Sequence, residues 1–201
     1  MDDFFATVEE YWPAGREDYH WHVLPGSEPL RDRILRPYLR ITDHPGLAPT
    51  LPAFLHVTIH HLAPVSELTG SELDRIVGLV RERCADMAPF AVTVGRAEAW
   101  EHGVVCPVRP RFPLASLWRI ATGAFRDATG DRFSVRPAVF HPHLSLTYAI
   151  RQVDPAPVRA WLADCEVPEI AIPVTKLALV AQQHDRLQIT FRIVDEVHLT
   201  G

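Results

Sequence analysis

Apolar and polar positions along this chain fall into blocks whose period switches between two and about 3.6, which reads as strands interleaved with helices. The clearest helical block follows Ser71, a candidate N-cap, with Leu73, Ile76, Val77, Val80 and Cys84 recurring on one face. A second spans 114–128, where Leu114, Leu117, Trp118, Ala121 and Phe125 face inward. Shorter helices are expected at 2–12, at 28–40 before the turn-rich His-Pro-Gly-Leu-Ala-Pro segment, and at 155–165. Strands are expected at 19–24, 54–62, 90–94, 103–108, 139–150, 170–182 and 187–194. The order strand–helix–strands occurs twice, around 54–108 and again from 139 onward. The glycine punctuation of a doubly wound dinucleotide fold is missing, so the expected class is α+β with mostly antiparallel pairing. No linker, charge block or low-complexity tract divides residues 1–201, which read as one domain.

Two of the strand blocks carry chemistry. Residues 54–62 read Phe-Leu-His-Val-Thr-Ile-His-His-Leu, and residues 140–148 read Phe-His-Pro-His-Leu-Ser-Leu-Thr-Tyr. Each contains histidine, a hydrophobe, a hydroxyl residue and a hydrophobe: His56-Val57-Thr58-Ile59 and His143-Leu144-Ser145-Leu146. Side chains alternate faces along a strand, so His56 and Thr58 point one way while Leu55, Val57 and Ile59 pack behind them. The same parity pairs His143 with Ser145 and buries Leu144 and Leu146. Two such strands meeting across a cleft suit phosphodiester chemistry. A neutral imidazole takes a proton from the attacking oxygen and an imidazolium gives one to the leaving oxygen. The two hydroxyls donate hydrogen bonds to nonbridging phosphate oxygens.

The pair of motifs, with Pro142 before the second, resembles the signature of the 2H phosphoesterase superfamily, most closely its bacterial 2'-5' RNA ligase-like branch. The resemblance implies a bilobal, pseudo-symmetric fold in which two mostly antiparallel sheets flank a central cleft. It implies a metal-independent phosphodiesterase, with no cofactor, acting on 2',3'-cyclic phosphate or 2',5'-phosphodiester bonds of a nucleotide or RNA end. Carried over by position, His56 and His143 are the acid–base pair, and Thr58 and Ser145 bind the phosphate. Members of that branch often carry a basic residue near the position of Tyr148, and a tyrosine there removes that phosphate contact. Strand parity turns Tyr148 toward the core, and a packing role and a base-stacking role both stay open. Arg136 and Arg151 flank the second motif and are candidate substrate contacts. The reading from another class is a noncatalytic module holding a nucleotide or RNA end in the same cleft.

Other histidines allow a different chemistry. His60, His61 and His141 would, with His56 and His143, supply metal ligands, but neither segment contains Asp or Glu and the histidine–hydroxyl pairing would be unexplained. His60 and His61 are therefore expected at the cleft edge or the surface. In Tyr19-His20-Trp21-His22 the two aromatics are expected in the core and the two histidines facing outward.

Composition narrows the partners. With a formal net charge of −5 the chain has no global basic field for long duplex nucleic acid. Residues 103–136 nevertheless hold six arginines (Arg109, Arg111, Arg119, Arg126, Arg132, Arg136) against Asp127 and Asp131, a local excess that favours a solvated face over an anion funnel. The three cysteines, Cys84, Cys106 and Cys165, are far apart and read as small buried hydrophobes. The longest run free of Asp, Glu, Lys and Arg, from His44 to Ser66, contains four prolines and is no membrane helix. The acidic start, Met-Asp-Asp-Phe-Phe, lacks the basic head of a signal peptide. A cytoplasmic monomer without membrane partners is the expectation.

Overall fold

The computed structural model describes residues 1–134 and 139–201; Arg136 lies outside them. Helices form where the apolar period predicts them: α1 (Phe4–Val8), α2 (Glu28–Leu35), α3 (Leu39–Thr42), α4 (Gly70–Cys84), α5 (Arg111–Thr129) and α6 (Pro155–Asp164). The N-cap of α4 is Thr69 and not Ser71. Its hydroxyl accepts from the Glu72 amide while the Glu72 carboxylate accepts from the Thr69 amide at 2.9 Å, so two otherwise orphaned donors are satisfied reciprocally.

The strands are β1 (Asp18–Val23), β2 (Leu47–Pro49), β3 (Val57–Pro64), β4 (Phe90–Val94), β5 (Glu98–Trp100), β6 (Gly103–Arg109), β7 (His143–Ala149), β8 (Ile170–Val174), β9 (Lys176–His184) and β10 (Ile189–His198). The block expected as a single strand over 170–182 breaks at Thr175, because its two parts pair in different places: β8 with β4, and β9 with β1 and β10. The strand order is β10-β9-β1-β3-β7-β6-β4-β8, with β2 added on β7 and β5 on β6. All pairings are antiparallel, and the order is symmetric about the β3–β7 junction, where both motif strands sit innermost. Helices α4 and α5 pack on the half containing β3 and β10, and α3 and α6 on the other half, against β7 and β5. Leu55, Val57, Ile59, Leu144 and Leu146 are buried in the main core cluster, so the apolar sides of both motifs pack as their parity predicts.

Two register shifts alter that parity beyond the motifs. In the β1–β3 ladder Trp21 pairs with His60 but His22 pairs with Thr58, leaving Ile59 as an extra residue on β3. The faces exchange there. His60 turns to the helix side, fully buried with its ring 5.5 Å from Phe125 of α5, while His61 comes round to the face of Thr58. His60 is thus a core residue and not a surface one. In the β6–β7 ladder Val104 pairs with Thr147 but Val105 with Ser145, leaving Leu146 extra. Tyr148 accordingly turns to the cleft face and not the main core, and joins a second cluster with Phe5, Val8, Trp12 and Ile189. Gly103 permits this approach of strands: a Cβ there would lie 2.2 Å from the Thr147 carbonyl oxygen.

Candidate active site

Strands β3 and β7 touch through one residue pair, Val57 opposite Leu144. Extending that antiparallel register one residue each way sets His56 across from Ser145 and Thr58 across from His143. Directly opposed residues share a sheet face. Two imidazoles and two hydroxyls therefore gather on one face at the join of the two halves, and all four line the same cavity of about 730 Å³.

Each imidazole is held in a defined tautomer. The Nδ1 of His56 lies 2.7 Å from the Phe54 carbonyl oxygen, and the Nδ1 of His143 lies 2.8 Å from that of His141. A carbonyl oxygen only accepts, so both Nδ1 atoms carry the proton and both Nε2 atoms are left for other partners. His56 is buried: its ring stacks on His22 at 4.1 Å and 12°, and the edge of Phe191 closes it at 5.6 Å. Burial disfavours the charged ring and pushes the pKa of His56 down to about 4. His143, less deeply set, packs against Trp100 at 5.0 Å, and burial lowers its pKa as well. The two rings sense each other, the charge of His143 further lowering His56.

A column of imidazoles continues from His56. His22 lies 5.6 Å from His20, and His20 stacks on His61 at 4.5 Å and 20°. At its end the buried Asp18 carboxylate accepts from Arg16 Nε and lies 2.7 Å from His61 Nε2. His20 and His22 do not face solvent as the alternating pattern predicts. On that face Trp12 and His61 cover His20, and His56 and Phe191 cover His22, and burial keeps both rings well below the usual imidazole pKa.

The remaining expected residues divide. Tyr148 lines the cavity, its ring 7% exposed and packed on Phe4 at 4.7 Å; burial raises its phenol to about 12. Arg151 lies beyond the end of β7, donates to the Pro45 carbonyl at 2.8 Å, and does not line the cavity. Among the described residues no arginine or lysine lines it, so the arginine excess of 103–136 is not gathered there; Arg132, for one, is paired with Glu72. Six histidines do line it: His20, His56, His61, His102, His141 and His143. Pattern reading passed over Trp100, whose short strand β5 carries only three residues, and Gln182, which sits in the polar end of β9 after the apolar run Leu177–Ala181. Among the described residues no group of three or more His, Cys, Asp or Glu side chains is placed to hold a metal ion. Nor is any helix among them long and apolar enough to cross a membrane.

This arrangement has counterparts among known proteins. Residues 32–186 match the family model described as the 2'-5' RNA ligase superfamily. No curated protein matches the chain significantly. Among solved structures, TT0787 of Thermus thermophilus superimposes with a TM-score of 0.72 at 17% identity, covering 92% of this chain and 98% of that one. Escherichia coli LigT in its apo form gives 0.65 at 18% identity, covering 92% and 99%. The same LigT complexed with 3'-AMP gives 0.66 at 18% over the same shares. At these identities the likeness is one of fold, and it agrees with the α+β arrangement of two antiparallel halves.

Proposed function

The chain belongs to the 2'-5' RNA ligase superfamily of 2H phosphoesterases, and from that membership we propose that it is a metal-independent phosphodiesterase. Its substrates would be 2',3'-cyclic phosphate or 2',5'-phosphodiester bonds of a nucleotide or RNA end. The observation that carries this reading is the pair of imidazoles on one face of the β3–β7 join, each with Nδ1 held by a carbonyl and a hydroxyl residue set across from it. That LigT has been solved with 3'-AMP supports a nucleotide as ligand. Residues 1–201 act in this reading as one bilobal unit, since each half supplies a single imidazole.

The unequal burial of the two rings assigns the roles. His56, the more deeply buried, stays neutral and takes a proton from water through Nε2. The oxygen so activated bonds to phosphorus and the bond from phosphorus to one ribose oxygen breaks. His143, as the imidazolium, gives its Nε2 proton to that leaving oxygen, so a cyclic phosphate opens to a phosphomonoester and a free hydroxyl. Thr58 and Ser145 donate to the nonbridging oxygens, whose charge grows as water adds. The approaching phosphate, being anionic, raises the pKa of His143 and helps it to carry the proton.

The test is turnover of 2',3'-cyclic nucleotides, RNA ends bearing cyclic phosphate and 2',5'-linked oligoadenylates, in the presence of EDTA. Wild-type protein should hydrolyse at least one of them, and His56→Ala and His143→Ala should each lower turnover by about 10²–10⁴-fold while remaining folded. Folded variants with unimpaired activity would refute the assignment. Binding without turnover would point to the noncatalytic module.

A further inference from the structure

Away from the paired imidazoles the cavity runs toward the N-terminal segment, and this end is built differently. Its apolar walls are Phe4, Val8, Tyr11, Trp12 and Ile189. Its polar lining is His20, His61 and Gln182. His61 is held by Asp18, but His20 and Gln182 are not held by anything comparable. They are 6% and 3% exposed, and both ring nitrogens of His20 and the Oε1 of Gln182 lack a hydrogen-bond partner. Native proteins seldom leave such atoms unpaired, so three around one space point to a partner that enters it, ordered water or a ligand.

The kind of ligand follows from what this end offers. Asp18, opposite Gln182 in the β1–β9 ladder, is already shared by Arg16 and His61, so its charge is spoken for. No arginine or lysine among the described residues lines the cavity, and burial holds His20 neutral. A second phosphate would find no fixed positive charge here. A flat, uncharged ring with donors and acceptors on its edge would meet aromatic walls, an amide acceptor, and an imidazole that both donates and accepts.

We propose that this end of the cavity is a nucleobase subsite, in which Gln182 and His20 read the edge of the base and Tyr11 and Trp12 wall its faces. It deepens the phosphodiesterase reading and rests on it for the identity of the attached group. Residues 1–31, which supply α1, Tyr11, Trp12 and all of β1, lie outside the segment that matches the family model.

The test uses the four common ribonucleosides, which carry no phosphate, titrated calorimetrically into the full-length protein. At least one should bind at millimolar concentration or below. Gln182→Leu, which keeps side-chain volume and removes the acceptor, should weaken that binding about tenfold. Tyr11→Ala, at a surface-reaching position, should weaken it as well, with the fold checked by circular dichroism. His143→Ala should leave nucleoside affinity within about twofold, since the base lies away from that ring. If no nucleoside binds, or if neither Gln182→Leu nor Tyr11→Ala changes affinity, the subsite is refuted. Hydrolysis of cyclic phosphate without nucleoside binding would overturn the subsite alone. Nucleoside binding by a protein inert toward every phosphodiester would uphold the subsite and overturn the proposed activity.

Discussion

Burial of His56 makes a sharp forecast for the pH dependence of kcat/KM, which reports the free enzyme. With its pKa pushed down to about 4, His56 is about nine-tenths neutral at pH 5, whereas an imidazole at the ordinary 6.5 would be only about 3% neutral. The two cases differ about thirtyfold in available base at pH 5. Activity should therefore persist to pH 5 and fall only as pH drops through about 4. In the proposed mechanism the opposite limb belongs to His143, which must carry its proton. Its pKa is lowered too, so activity should decline as pH rises from a point already below 6.5. The optimum then lies on the acid side of neutrality. Phe191 provides the perturbation: half-buried on β10, it closes the edge of the His56 ring at 5.6 Å and touches His22 at 5.2 Å. Phe191→Ala admits water to the imidazole, raises its pKa toward 6.5 and should cost up to about thirtyfold at pH 5 relative to the wild type at that pH. Steady-state hydrolysis of a 2',3'-cyclic nucleotide from pH 3.5 to 8, in buffers of constant ionic strength, is the assay (about one point per half unit resolves a single-proton limb). A wild-type acid limb near 6.5, or one that Phe191→Ala leaves in place, would refute the link between burial and the base.

The same shift has a stability consequence. Between pH 6.5 and 4 the unfolded chain binds a proton at residue 56 that the folded chain refuses, so stability falls as pH falls. From pH 7 to 5 the loss from His56 alone is about 2 kcal/mol, with His20 and His22 adding in the same direction. Urea unfolding at the two pH values measures it; equal stabilities would contradict the burial of these rings. Thr58→Val and Ser145→Ala should each lose about 1.5–3 kcal/mol of transition-state stabilisation, seen in kcat if the bonds tighten during reaction and in KM if they do not. Full activity in both variants would remove the hydroxyls from the mechanism.

Much of this site is legible in the chain because its chemistry sits on strands. Period-two alternation around His56 and His143 separates the apolar residues that face the core from the polar ones that face the cleft, and the 87-position separation of the two leaves room for a second half. What alternation cannot show is where a ladder slips. One extra residue at Ile59 sends His60 into the core, and one at Leu146 brings Tyr148 to the cleft, reversing both expectations. Nor does a strand announce its place in the sheet. His20 and His22 look solvent-facing until Trp12 and Phe191, distant in sequence, are seen packed over them. The split at Thr175 was hidden for the same reason, since the two parts serve different halves without a turn residue between them.

The cavity described above carries imidazoles where phosphate-handling sites elsewhere often carry guanidinium or ammonium groups. This governs how substrate arrives. At neutral pH the rings of His20, His56 and His143 are uncharged and Glu101 lines the same space, within a chain of net charge −5. No long-range field then draws an anion inward; the net negative charge weakly repels it, so the association rate should rise slightly with ionic strength. As pH drops and His143 and His56 take up protons, an attractive field appears, and with it a dependence on salt of the opposite sign. Capture of substrate and its conversion are thus tuned by the same set of protons, and an ionic-strength series repeated at two pH values would separate their contributions.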